Sequence, residues 1–229
     1  EDAAVPTDRL VDYFEGLYSI LGGHKADFVI YGHIAKGLLH TRPLLDMKDP
    51  HDIEMLKILA DDIFKLVNSL GGVVSGEHGD GRLRSAYVKA QYGDLYPLFL
   101  DTKAIFDAEE LFNPDLKTVN DEDQMMKYLR YGSDYGSTDL DNKHFLWEEG
   151  FTTEAEKCHG CSKCTTVTTA TRMCPVFKAT RDETAAPKAK ANILRALISG
   201  AIDSQSIYED TFQNVINKCI ACGSCLYEC

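Results

Sequence analysis

Cysteine is missing from the first 157 residues of this chain, and all eight of its cysteines lie between positions 158 and 229. A disulfide framework is thereby excluded from the first two-thirds, and so uneven a distribution marks a domain boundary. Basic residues are also short: 24 Lys and Arg stand against 36 Asp and Glu, for a formal net charge of −12. That deficit argues against nucleic acid or an anionic membrane surface as the main partner, so no nucleic acid is expected. No apolar run approaches the roughly 20 residues of a membrane-spanning helix, and no transmembrane segment is expected. The opening EDAAVPTDRL has neither the basic nor the apolar region of a secretory signal, and no initiator Met. A cytoplasmic, reducing compartment follows as the expectation, where clustered cysteines serve metals or clusters rather than disulfides.

What is present is enough for a real core: 229 residues at 44% hydrophobic composition imply more than one folded unit. Residues 7–21 place Leu10, Val11, Phe14, Leu17, Tyr18 and Leu21 at helical spacing, with Thr7 as N-cap and Gly22-Gly23 as the stop. Residues 52–70 repeat the pattern through Ile53, Leu56, Leu59, Ile63, Leu66, Val67 and Leu70. GGVVSGEHGDGR reads as a short strand entering a glycine-rich loop, and a third helical stretch covers roughly 95–112. The first part, residues 1–120, is therefore expected to be α+β, an antiparallel sheet with helices on one face. Residues 121–157 lose periodicity and read as a linker. Its aromatics, Tyr128, Tyr131, Tyr135, Phe145 and Trp147, imply that it packs along a domain surface. Residues 187–199 predict a helix between two cysteine groups in a final domain, 158–229, expected to be all-α and ferredoxin-like.

YGHIAKGLLH, residues 31–40, carries two histidines seven apart. On a helix they would stand about 10 Å apart along the axis, too far to share an ion. The flanking runs read instead as two strands, with Lys36-Gly37 as a two-residue turn. That register sets His33 opposite His40 and Tyr31 opposite Arg42. Cβ atoms about 5 Å apart on one face would suit two imidazoles on one cation. Two half-exposed histidines on a strand pair remain the alternative at this point.

The cysteines form two groups. CHGCSKC gives Cys158, Cys161 and Cys164, followed after nine residues by Cys174-Pro175; CIACGSCLYEC gives Cys219, Cys222, Cys225 and Cys229. Three thiolates at C-x2-C-x2-C wrap one cluster, and the fourth usually comes from the partner motif. Two [4Fe–4S] clusters are expected. By the crossing rule, Cys158, Cys161, Cys164 and Cys229 hold one, and Cys219, Cys222, Cys225 and Cys174 the other. Structural zinc, which takes cysteines in C-x2-C pairs, is the competing reading.

Residues 158–229 resemble the helical ferredoxin-type module of glycolate oxidase and succinate dehydrogenase iron–sulfur subunits and of heterodisulfide reductases. On YGHIAKGLLHTRPLLD, GGVVSGEHGDGRLR and LFNPDLKTVN, residues 1–120 resemble the C-terminal substrate domain of FAD-linked 2-hydroxyacid dehydrogenases. That family belongs to the vanillyl-alcohol-oxidase-like superfamily and includes D-lactate and D-2-hydroxyglutarate dehydrogenases. The resemblance implies a divalent metal, Zn or Mn, on His33, His40 and Glu77, with His78 as the base that takes the substrate hydroxyl proton. Arg42 stands where relatives commonly carry Asn and is a candidate for binding a substrate carboxylate. Asn113 matches an asparagine near the flavin ring, while Gly76, Gly79 and Gly81 let the loop approach a ligand closely. Ala35-Lys36 and Leu38 depart from the family's first motif, but the ligand positions are retained.

No segment resembles the FAD-binding domain, so a fragment is expected, with FAD held mainly by a domain outside it. The implied partners are a small 2-hydroxy acid and an electron acceptor such as a quinone, a cytochrome or another redox protein. Placement at the inner face of the cell membrane would be peripheral. The alternative is a non-catalytic electron-transfer module with a docking domain.

Overall fold

The computed structural model describes residues 1–118, 121–138 and 147–229. The chain divides into two compact units, Glu1–Asp134 and Tyr135–Cys229. That division falls inside the stretch read as a linker. Residues 121–134 join the first unit, where Gln124 and Met125 are buried. Phe145, with the rest of 139–146, and residues 119–120 of the LFNPDLKTVN motif lie outside the described residues.

The first unit is α+β, as expected. Strands β1 (Ala3–Ala4), β2 (Phe28–His33) and β3 (Leu38–Pro43) form an antiparallel sheet in the order β1-β3-β2. Helix α1 (Leu10–Gly23) follows a 3-10 turn at Thr7–Arg9, so Thr7 lies inside that turn and is not an N-cap. Its buried face is Tyr13, Leu17 and Leu21, whereas Val11, Phe14 and Tyr18, expected in the core, are exposed. Tyr13 carries the stripe because i, i+4 and i+8 line one face of a helix. Helix α2 (Pro50–Ser69) begins where the Asp49 carboxylate accepts the His51 amide at 2.7 Å, with Pro50 in the first turn. Its Leu59 and Val67 are buried, and Val67 joins Ala3, Val5, Leu17, Leu39 and Tyr87 in one core.

Three sequence expectations need correction. GGVV forms a single bridge, Ala4 with Val73, rather than a strand. A helix not anticipated, α3 (Gly81–Tyr92), follows the glycine loop. The third helical stretch is shorter than read: α4 spans Tyr96–Phe106, and positive φ at Glu110, Asn113, Asp115 and Lys117 breaks the periodicity after it.

The hairpin also has a different register. Tyr31 pairs with His40, Val29 with Arg42 and His33 with Leu38. The loop has four residues: a 3-10 turn at Ile34–Lys36 closes through left-handed Gly37, φ +68°. A two-residue type I′ turn would need positive φ at Lys36 as well, a conformation that favours glycine or asparagine and that Lys36 does not adopt. Gly37 is held further by β1's neighbour, because its carbonyl accepts the Val5 amide at 3.0 Å and a Cβ there would sit 1.9 Å from the Val5 oxygen.

The second unit is helical among its described residues: α5 (Gly150–Glu156), α6 (Pro175–Thr180), α7 (Pro187–Ile198), α8 (Asp210–Asn217) and α9 (Ser224–Glu228). Its small core gathers Cys164, Met173, Phe177 and Ala186 against Cys174.

Candidate functional site

The hairpin and the glycine loop bring three imidazoles onto one carboxylate oxygen. From Glu77 Oε1, His40 Nε2 lies at 3.0 Å, His33 Nε2 at 3.6 Å and His78 Nε2 at 3.7 Å. His33 and His40 are not directly opposed, yet they share a face, since His33 is two residues from His40's partner Tyr31. Their rings stand edge to face at 6.1 Å, and His78 stacks on His40 at 4.9 Å. His40 is the buried member; His33 and His78 are about half exposed.

One residue of this cluster escaped the sequence reading. The Asp2 side chain is fully buried. Its carboxylate accepts the Ser75 hydroxyl at 2.6 Å, the His78 amide at 2.9 Å and the Glu77 amide at 3.3 Å. Burial works to raise its pKa, but these three donors prevail and hold it below the usual carboxylate value. Potential ligand atoms of Asp2, His40, Glu77 and His78 all lie within 4.8 Å of one another. Arg84 on α3 ties the same parts together, donating to the Gly79 carbonyl at 2.9 Å and the Glu1 carbonyl at 2.7 Å.

The other sequence candidates stand apart from that convergence. Arg42 lies on the sheet face that carries Tyr31 and His40. Its guanidinium sits 5.1 Å from the Tyr31 ring centre and pairs with Glu1 at 2.8 Å. Asn113 is exposed in the loop after α4, at φ +48°. Gly76 is needed for packing: a Cβ would meet Leu38 Cδ1 at 2.5 Å and Ala4 Cβ at 3.0 Å. Gly79, at φ +81°, faces open space.

In the second unit all eight cysteines are free thiols. Cys158 follows α5, Cys174 precedes Pro175 at the start of α6, and Cys225 lies in α9. Burial raises the Cys229 thiol, and the neighbouring Cys158, Cys161, Cys164 and Cys225 raise it further. Burial likewise raises Cys225, with Cys219, Cys222 and Cys174 adding to it. Lys218, next to Cys219, bridges to the loop before α7 through the Asp182 carboxylate at 2.5 Å and the Thr184 hydroxyl at 2.6 Å.

Comparison with known proteins agrees with both halves. Residues 1–116 match the family of FAD linked oxidases, C-terminal domain, and residues 154–229 match the 4Fe-4S dicluster domain. A D-2-hydroxyglutarate dehydrogenase of Pseudomonas putida is 34% identical over 196 residues, covering 85% of this chain and 19% of that protein. One of Pantoea ananatis is 34% identical over 197 residues, with the same coverage. A D-lactate dehydrogenase of Archaeoglobus fulgidus is 29% identical over 114 residues, 49% of this chain and 25% of that protein. The chain thus spans about a fifth of the length of these two D-2-hydroxyglutarate dehydrogenases. No helix among the described residues is long and apolar enough to cross a membrane. The chain belongs to the family of FAD-linked oxidases, whose C-terminal domain it carries, joined on one polypeptide to a 4Fe-4S dicluster domain.

Proposed function

We propose that this chain is the substrate-binding and electron-transfer part of an FAD- and iron–sulfur-dependent dehydrogenase that oxidises a D-2-hydroxy acid, with D-2-hydroxyglutarate favoured over lactate and glycolate. The observation that carries the reading is the convergence of three imidazole nitrogens on Glu77 Oε1, within 3.7 Å. The relatives named for D-2-hydroxyglutarate cover both halves of the chain, whereas the D-lactate dehydrogenase covers 49% of it.

The donor set of His33, His40 and Glu77, two imidazole nitrogens and a carboxylate oxygen, suits zinc or manganese. When bound, such an ion supplies a positive charge for the substrate's carboxylate and hydroxyl and lowers the hydroxyl pKa. His78, half exposed beside Glu77, takes the hydroxyl proton on Nε2. Arg42, planar and always charged, takes the second carboxylate of a dicarboxylic substrate by exchanging it for its pairing with Glu1.

Leu38 and Ala4 fill the space against Gly76, whereas Gly79 faces open space that leaves its backbone open to the approach of a ligand. FAD, held mainly by a domain outside these residues and with Asn113 as the candidate for a place near its ring, supplies the hydride acceptor. Eight free thiols fit two [4Fe–4S] clusters, shared as Cys158, Cys161, Cys164 and Cys229, and as Cys219, Cys222, Cys225 and Cys174. Cys219, Cys222 and Cys174 act on the Cys225 thiol, and Cys158, Cys161 and Cys164 act on Cys229, which supports that division, while Cys225 also acts on Cys229. Electrons then pass to a quinone, cytochrome or other redox protein, in the cytoplasm or peripherally at the inner face of the membrane.

The test is His78→Ala in the flavin-loaded holoenzyme. Flavin reduction by D-2-hydroxyglutarate should fall by about two to four orders of magnitude, the usual contribution of a general base. Unchanged flavin reduction would leave an electron-transfer module in which the imidazole cluster takes no part.

A further inference from the structure

The buried carboxylate of Asp2 performs no step in the proposed reaction, yet it sits behind the most buried imidazole of the site. His40 Nε2 faces Glu77, and its other ring nitrogen, Nδ1, points toward Asp2 Oδ1 at 4.0 Å. Nδ1 is a buried polar atom without a hydrogen-bond partner. A buried polar atom left unpaired is costly, so the nearest group that could pair with it matters. Closing the gap by about 1 Å would bring Nδ1–H within hydrogen-bond range of the Asp2 carboxylate.

We propose that Asp2 is the positioning residue of the site: its carboxylate accepts the Nδ1 proton of His40 and so leaves the Nε2 lone pair facing Glu77 for a divalent ion. This rests on the divalent-ion reading above and deepens it. Metal-binding histidines generally donate their second ring N–H to a carboxylate or carbonyl, which fixes the tautomer and strengthens the donor. Asp2 is built for that task from both sides. Ser75 and the amides of Glu77 and His78 hold its oxygens, so one carboxylate orients the histidine on β3 and the backbone of the loop that carries Glu77 and His78. The β1 ladder fixes the height of Asp2: Ala4 and Val73 exchange backbone hydrogen bonds at 2.9 and 2.8 Å, and the Gly76 amide donates to the Asp2 carbonyl at 2.7 Å.

The test is Mn²⁺ binding to the cluster-loaded protein, followed by the EPR signal of the free ion; manganese is chosen because thiolates compete poorly for it. Wild type should bind, His40→Ala should not, and Asp2→Asn should bind about ten- to hundred-fold more weakly with its thermal unfolding retained. In the zinc-loaded protein, NMR should show the His40 Nδ1–H at low field and slow to exchange. Asp2→Asn should lose that resonance, which a residue that merely braced the loop would leave in place. Wild-type binding with an unchanged constant in Asp2→Asn would overturn the role of Asp2 alone. So would a rapidly exchanging Nδ1–H in zinc-loaded wild type, a result that needs no variant to fold. No Mn²⁺ binding by wild type would overturn the divalent-ion reading and this inference with it.

Discussion

Nε2 of His40 stands 3.0 Å from Oε1 of Glu77, across 37 positions of sequence. Two groups held this close act on a shared ligand as one unit, so their removal is not additive. His40→Ala and Glu77→Gln should each abolish Mn²⁺ binding, and the double variant should be no worse than either. Isothermal titration of the three proteins checks this. Two additive, partial losses would mean that the residues do not address one ion.

Gly37 sets the hairpin that carries both histidines. Gly37→Ala places a Cβ against the Val5 oxygen and forces a left-handed backbone on a residue that resists it. The left-handed conformation alone costs roughly 1–2 kcal/mol, and the clash adds to it. Urea denaturation of the first unit should register a loss above about 2 kcal/mol. A change within about 0.5 kcal/mol would show that Val5 does not lie against this turn.

How much of this was legible in the sequence depends on distance along the chain. The cysteine motifs were readable because their chemistry is set by local spacing. Strand character around His33 and His40 was readable from the β-branched and aromatic run, and so was their shared face. The register was not, because it depends on which residue of Lys36-Gly37 takes positive φ, and only Gly37 does. Helix α3 was missed because charged and small residues dominate its sequence and only Ser85, Tyr87 and Val88 are buried. Asp2 had no signal at all. Its place beside His78 comes from the bridge between Ala4 and Val73, a pairing that no local pattern announces.

The Lys218–Asp182 bridge gives the second unit an acid dependence. The Lys218 ammonium, with the Thr184 hydroxyl and amide, lowers the Asp182 carboxyl to about 2 from its ordinary 3.8. A depressed carboxylate stabilises the fold fully above its unfolded value, and that contribution is lost as pH falls through the folded one. Asp182→Asn should therefore be less stable than wild type at neutral pH. The difference should shrink between about pH 4 and pH 2 and vanish below. Thermal melts across that range would show it, and a pH-independent difference would remove the charge from the explanation.

Cluster pairing can be read by subtraction. With the proposed crossing, Cys229→Ser and Cys158→Ser should disturb the same EPR signal of the dithionite-reduced protein, while Cys174→Ser and Cys222→Ser disturb the other. Each variant should fall from about eight irons and sulfides to about four. Should Cys174→Ser instead match Cys158→Ser, each motif would complete its own cluster, and the long spacer before Cys174 would be the reason.

The role proposed for Arg42 distinguishes the substrate classes. If its guanidinium receives a second carboxylate, its loss should harm a dicarboxylic substrate and spare a monocarboxylic one. A hydrogen bond to a charged group is worth about 1.5–3 kcal/mol, or roughly ten- to hundred-fold in an equilibrium. In the holoenzyme, Arg42→Ala should lower kcat/KM for D-2-hydroxyglutarate by about that factor and leave D-lactate nearly unchanged. Equal losses on both would instead point to the hydrogen bond with Glu1, which lies next to Asp2 and whose disturbance would reach the imidazole cluster whatever the substrate.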